Sequence, residues 1–125
     1  MPAAVGDVFK FQSNKAAGHM TRDKFHVAIE LSEGALLFIN SDPFEGAMRI
    51  DRTDWPEMPK TESYISCSAA IRYTKDDLDG VEIKPAGRLS EDCLSRLEAH
   101  VEASITMPQE DIDTILNALA PFTKN

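Results

Sequence analysis

The chain is short of cysteine, of basic residues and of long apolar segments, and each shortage narrows the class of protein. Its two cysteines, Cys67 and Cys93, lie far apart and form no Cys-x-x-Cys pair or Cys/His cluster, so we expect reduced core thiols and no structural metal site. No apolar run approaches the roughly 18 to 20 residues that a membrane span needs. We therefore predict a soluble, cytoplasmic protein that does not bind membranes and carries neither a metal ion nor a cofactor.

Basic residues are scarce, since 13 Lys and Arg face 21 Asp and Glu, for a formal net charge of −8. A chain with this charge repels nucleic acid over most of its surface. Residues 10–26 are the exception, because their basic residues face a single acid, Asp23. The cationic or titratable residues of this basic segment are Lys10, Lys15, His19, Arg22, Lys24 and His26. We expect any phosphodiester to bind there, although a soluble surface loop explains the same composition equally well.

The hydrophobic pattern places strands first and helices last. With 125 residues, 42% of them hydrophobic, the chain is expected to fold as a single domain over residues 1–125. Alternating or apolar runs predict strands at 6–11, 24–31, 35–40, 48–50, 63–67 and 70–74. Ser90 is a good N-cap for a helix to about residue 103, and Pro108 suits the first turn of a second helix to about residue 120. This order predicts an α+β domain, a small curled antiparallel sheet with C-terminal helices at about 90–120.

Metal-free cleavage of RNA needs a base, a cation beside the phosphate, and a hydroxyl or acid for the leaving oxygen. The basic segment and the turn after the third predicted strand contain such groups. The candidate catalytic residues are Arg22, Lys24, His26 and Ser41, and the candidate RNA-binding residues are Lys15, His19, Arg22 and Lys24. Structural histidines and an ordinary Ser or Asx turn at residues 40–43 explain the same residues without any substrate.

Two further features are interpreted as structural. Trp55 and Met58, set among prolines, suit either an exposed contact for a partner or the core, and we favour the core because a single Trp buries a large apolar area. Asp76, Asp77 and Asp79 lack the ligand spacing of a calcium loop. They are predicted to form a solvated turn.

Short motifs across residues 6–103 resemble the PemK/MazF-like superfamily of toxin-type endoribonucleases. The more specific ones are the strand Ser63-Tyr64-Ile65-Ser66-Cys67 and the element Gly87-Arg88-Leu89-Ser90, which leads into a helix. Weaker matches are residues 6–9, the loop with Gly18, the strand at 24–29 and residues 38–41. The resemblance implies an SH3-like barrel at about 6–74, metal-free cleavage of single-stranded RNA, a homodimer, and a cognate antitoxin as protein partner.

The resemblance also implies an active pair, a basic residue before the second strand and a hydroxyl at the end of the third. Ser41 matches the hydroxyl, but Lys24-Phe25 stands where the family has Arg-Pro, and Lys lacks the planar fork with which Arg binds phosphate. Arg22 is the alternative cation if its loop folds back. Two hypotheses follow: a toxin-antitoxin type endoribonuclease that binds and, if active, cleaves single-stranded RNA, or a non-catalytic SH3-like module whose acidic surface binds a basic protein. Basic side chains converging beside Ser41 favour the first.

Overall fold

One curled antiparallel sheet organises the computed structural model, which describes residues 4–13, 22–43 and 45–122, with Arg22 described through its backbone alone. Its strands are β1 (Asp7–Ser13), β2 (Arg22–Glu30), β3 (Ala35–Asn40), β4 (Met48–Asp51), β5 (Glu62–Ile65), β6 (Ile71–Arg72) and β7 (Lys84–Arg88). The strand order is β4-β5-β3-β2-β1-β7, and β6 pairs with the start of β3. The sheet curls into a half-barrel, so the α+β class and the antiparallel sheet are confirmed.

The helices follow most of the strands, as predicted. They are α1 (Lys75–Leu78), α2 (Glu91–Glu102) and α3 (Gln109–Leu119), with 3₁₀ turns at Leu31–Glu33 and Ala120–Phe122. Ser90 Oγ accepts a hydrogen bond from the Cys93 amide at 3.0 Å, which confirms the predicted N-cap of α2. The second predicted helix is present as α3, with Pro108 at its N-cap rather than in its first turn. Within the described part of the chain, none of the helices has the length and apolar character needed to cross a membrane.

The main core lies between one face of the sheet and the helices α2 and α3. The sheet contributes residues such as Val27 and Leu37, and the helices contribute Leu97 and Ile115, all of them fully buried. The apolar stripes of both helices are therefore used inside the single chain.

Trp55, Met58 and both cysteines belong to this core. Trp55 and Met58 are buried, so the core interpretation of this proline-flanked segment is confirmed. Cys67 and Cys93 are free and buried, and burial raises the pKa of each thiol to about 12. Both are therefore protonated core side chains, as expected from their separation in the sequence.

The opposite face of the sheet carries a second, smaller apolar cluster. Phe11, Leu36 and Tyr73 are buried there, and half-buried residues such as Phe9 and Leu78 pack against them. Because side chains alternate across a strand, His26 of β2 points to this face while its neighbours Phe25 and Val27 point to the main core. The two faces of the sheet thus separate the residues of the basic segment.

The structure departs from the predicted elements at three places. Arg22 and Asp23, expected in a loop, already pair with β1, so β2 begins two residues early. The acidic turn at residues 76–79 contains the short helix α1, where Thr74 and Asp77 form a capping box. Residues 84–88 form β7, which pairs with β1 and was not predicted, and the sheet therefore extends beyond the predicted limit at residue 74.

Candidate nucleic-acid interface

Three lysines and Ser41 line a cleft of about 240 Å³ where the start of β2 lies beside the end of β3. We name it the lysine cleft and define it by Lys10, Asp23, Lys24, Phe25, Asn40, Ser41, Trp55 and Lys60. Lys10 and Lys24 come from neighbouring strands, Ser41 directly follows β3, and Lys60 lies in the loop between β4 and β5. The fold therefore joins both ends of the basic segment to two distant parts of the chain.

Aromatic rings fix the positions of the two strand lysines. Lys10 pairs with Phe25 across the β1–β2 ladder, and its Nζ lies 5.4 Å from the centroid of the Phe25 ring. Lys24 Nζ lies 5.2 Å from the centroid of the Phe38 ring and donates a hydrogen bond to Asn40 Oδ1. Both lysines are thus held at the sheet, Lys10 beside Phe25 on one face and Lys24 beside Phe38 on the other, whereas Lys60 and Ser41 are exposed to solvent.

A rigid apolar floor lies beneath these charges. Trp55 is fully buried, its Nε1 donates to the Ala86 carbonyl oxygen at 2.7 Å, and its ring meets Phe25 edge to face at 5.0 Å between centroids. An indole held by both packing and a hydrogen bond keeps the floor in place. The cleft is therefore preformed rather than assembled from mobile side chains.

The charge of the cleft is opposite to that of the chain. The described residues that line it include three lysines and one acidic residue, Asp23, in a protein whose formal net charge is −8. Asn40 and Ser41 add an amide and a hydroxyl at the same place. Ammonium, amide and hydroxyl groups are the donors that proteins use on phosphate and sugar oxygens. This arrangement can hold an anion with several oxygens, such as a phosphodiester.

His26 lies away from this cleft, inside the smaller apolar cluster. Its ring is fully buried and stacks on Phe11 at 3.9 Å between centroids. Its Nε2 lies 2.9 Å from Tyr73 Oη, which lies 2.6 Å from Ser13 Oγ, whereas Nδ1 has no hydrogen-bond partner among the described residues. Burial, aided by the nearby charge of Lys24, lowers the pKa of His26 from 6.5 to about 4. The ring is therefore neutral at physiological pH and does not reach the lysine cleft.

This buried imidazole predicts how stability depends on pH. An unfolded chain protonates His26 near pH 6.5, but the folded chain does so only near pH 4, so the unfolded state binds more protons between these values. The free energy of unfolding should therefore fall as the pH is lowered through this window, by at most about 1.4 kcal/mol per pH unit from this residue. Urea unfolding at several pH values should show a smaller slope in His26→Gln than in the original chain. Equal slopes would contradict the assignment.

The predicted site residues are brought together only in part. Lys24 and Ser41 line the same cleft, as expected. Arg22 begins β2 opposite Ser13, and its side chain, like the whole of Lys15 and His19, lies outside the described residues. His26 would need an accessible ring to act as a base on RNA. Because its ring is buried, we assign it no catalytic step.

Two lysines of the cleft were not among the candidate site residues. Lys10 is recognisable in retrospect, because it follows Val8 by two residues along β1 and so lies on the same face as Val8 and as Phe25, its own cross-strand partner. Lys60 lies among turn residues that carry no local signal, and only the fold brings it to the cleft.

Comparison of the chain with protein-family models, with curated proteins and with solved structures gave no match. The described residues also contain no group of three or more His, Cys, Asp or Glu side chains placed to hold a metal ion. The assignment of a function therefore depends on the chemistry of the cleft and on the motifs in the sequence.

Proposed function

We propose that the protein binds single-stranded RNA in the lysine cleft, as a divergent PemK/MazF-like protein with an SH3-like barrel. The observation that carries the proposal is the convergence of Lys10, Lys24 and Lys60 beside Ser41. A cleft that is positive within a chain of net charge −8 concentrates the attraction for a polyanion at one place. We assign a single strand rather than a duplex because the resemblance to PemK/MazF-like proteins implies it.

Each group of the cleft has a role in this complex. Lys24 and Lys60 neutralise successive phosphates, and Lys10 adds a third charge above the Phe25 ring. Ser41 donates its hydroxyl to a phosphate or sugar oxygen. In the endoribonuclease reaction that the motifs imply, Lys24 would stabilise the charge on phosphorus and Ser41 would orient the scissile group, while Asp23 is the carboxylate available to accept the 2′-hydroxyl proton.

Salt-dependent binding tests this function. Each phosphate contact on a single strand contributes a slope of about −0.7 to log affinity against log salt, so three contacts give a slope near −2 and a loss of roughly 20-fold between 50 and 200 mM salt. Fluorescence anisotropy with a labelled single-stranded oligoribonucleotide measures the affinity, with duplex RNA of the same sequence as the control. Absence of binding at 50 mM salt would overturn the proposal and leave the non-catalytic binding module.

Cleavage is tested separately with the same oligonucleotide. Incubation at protein excess with a metal chelator should yield fragments ending in a 2′,3′-cyclic phosphate, because attack by the 2′-oxygen forms that ring as the bond to the 5′-oxygen breaks. Ser41→Ala should slow the reaction. RNA that is bound but stays intact would restrict the function to binding.

The homodimer belongs to the same proposal, because the resemblance to PemK/MazF-like proteins implies it. Light scattering at micromolar concentration should then give about 28 kDa, twice the 13.8 kDa of the chain. A mass of one chain, unchanged on dilution and on addition of RNA, would contradict it.

A further inference from the structure

An apolar groove of about 710 Å³ lies on the face of the sheet opposite to the main core. Its floor is formed by Phe11 and Leu36, which are buried, and its sides include Phe9, Leu31, Leu78 and Ile83. Leu31 and Ile83 are each 41% exposed. Exposing these apolar side chains to water costs free energy, and a partner that covers them would remove that cost. Apolar grooves with a polar rim mark interaction sites on protein surfaces.

The segments that form this groove are strongly acidic. Glu33 and Lys75 line the groove itself, and the segments 30–34, 72–79 and 82–85 that flank it carry six carboxylates in all against two ammonium groups and the guanidinium of Arg72, which pairs with Glu33. The carboxylates are those of Glu30, Glu33, Asp76, Asp77, Asp79 and Glu82, and the ammonium groups are those of Lys75 and Lys84. Most of these side chains are exposed, so the groove presents an apolar floor within a negative field. This is the reverse of the lysine cleft and excludes RNA as its occupant.

We propose that this groove binds a basic amphipathic segment of a partner protein. The apolar side of such a segment covers Leu31 and Ile83, while its Lys and Arg side chains face the surrounding carboxylates. A second copy seated groove on groove is a poor occupant, because the same acidic segments would then face each other. A neutral small molecule fills the floor but makes no use of the carboxylates. Charge complementarity therefore selects the basic peptide.

Two synthetic peptides of about 16 residues test the charge requirement. One carries leucines on one helical face and lysines on the other, and its counterpart has glutamates in place of the lysines. Anisotropy should show the lysine peptide bound at least tenfold more tightly than the glutamate peptide. Equal affinity of the two peptides, or binding of a neutral apolar dye with no binding of either peptide, would overturn the proposal.

Matched variants locate the binding site. Leu31→Ser combined with Ile83→Ser should weaken the lysine peptide about tenfold, since both side chains lose their apolar contact. Ile105→Ser is the control, because Ile105 is 94% exposed and lies outside the groove. Thermal unfolding confirms that all variants fold. If the control weakens the peptide as much as the double variant, or if the double variant has no effect, the peptide docks elsewhere and the proposal fails.

A second pair of variants isolates the carboxylates. Asp76→Asn with Asp79→Asn should weaken the lysine peptide about threefold at low salt, because two charges near the groove are lost. Glu91→Gln with Glu102→Gln on α2 makes the same change of net charge away from the groove and should have a smaller effect. Equal effects of the two pairs of variants would show that the peptide is attracted by the net charge of the chain alone, and would contradict a specific site.

Discussion

Replacing Lys24 and Lys60 by alanine is expected to weaken the binding of single-stranded RNA about 60-fold at 50 mM salt. With a slope of about −0.7 per contact, each phosphate contact contributes a factor of roughly 8 at 50 mM relative to 1 M salt, and the double variant removes two contacts. The salt slope should fall from about −2 to about −0.7 in the same variant. Anisotropy titrations at four or more salt concentrations measure both quantities. The joint change in affinity and slope is the signature of lost phosphate contacts.

A control variant with the same change of charge distinguishes binding in the lysine cleft from attraction by the overall charge of the chain. Arg49→Ala with Lys75→Ala also removes two positive charges, but neither residue lines the lysine cleft. Its affinity for RNA should stay within a fewfold of the original. Because Lys24 also bonds Asn40, the single variant Lys60→Ala, which changes an exposed side chain, tests the charge without that structural contact. If the control and the cleft variant lose the same affinity, RNA does not bind in the cleft.

The main elements of the fold are predictable because local signals agree with the tertiary structure. The apolar runs at 24–31 and 35–40 predicted two strands, and these are β2 and β3, which pair as a hairpin. Ser90, followed by acidic residues and an apolar stripe, led to α2. Residues 84–88 gave no such signal, since Pro85 and Gly87 are depleted in strands. They are tolerated because β7 is at the edge of the sheet and needs one pairing partner only.

The candidate site was predictable only for the residues that belong to the β2–β3 hairpin. Lys24 and Ser41 follow from the ends of β2 and β3, which the hairpin brings side by side. The predicted strand begins at residue 24, which places His26 near its start. In the structure Arg22 and Asp23 already pair with β1, so His26 lies inside the sheet among apolar neighbours. For a histidine among apolar residues of a central strand, the sequence contains no signal that distinguishes a buried structural role from a catalytic one. Lys60 depends on a loop whose path is set by tertiary packing.

The two faces of the sheet divide the polar chemistry of the protein. Lys10 and Phe25 share the face toward the lysine cleft, while His26 and Tyr73 lie with the smaller cluster beneath the apolar groove. A cation site and a neutral buried imidazole can therefore coexist within one short strand. Changes to Tyr73 or its neighbours should alter the groove and the stability of the protein before they alter the binding of RNA.

Gly34→Ala is expected to destabilise the protein by at least about 3 kcal/mol, while Gly80→Ala costs about 1 kcal/mol. Both glycines adopt left-handed backbone conformations, with φ of 67° and 75°. A Cβ at Gly34 would lie 2.1 Å from the Tyr73 carbonyl oxygen, whereas at Gly80 nothing lies within 4 Å. The two variants share the backbone strain, so the difference between them measures the clash. Urea unfolding followed by the fluorescence of Trp55, the single Trp of the chain, gives both free energies.

The clash at Gly34 cannot be relieved by a side-chain rotation, because it involves backbone. Tyr73 donates its amide to the Gly34 carbonyl oxygen at 3.0 Å, so moving one strand away from the other weakens that hydrogen bond. Tyr73 also contacts His26 through its hydroxyl, and a displaced Tyr73 leaves the imidazole without its partner at Nε2. The loss should therefore exceed the cost of the left-handed conformation alone. Equal losses in Gly34→Ala and Gly80→Ala would show that β3 and the segment at Tyr73 do not approach as closely as described.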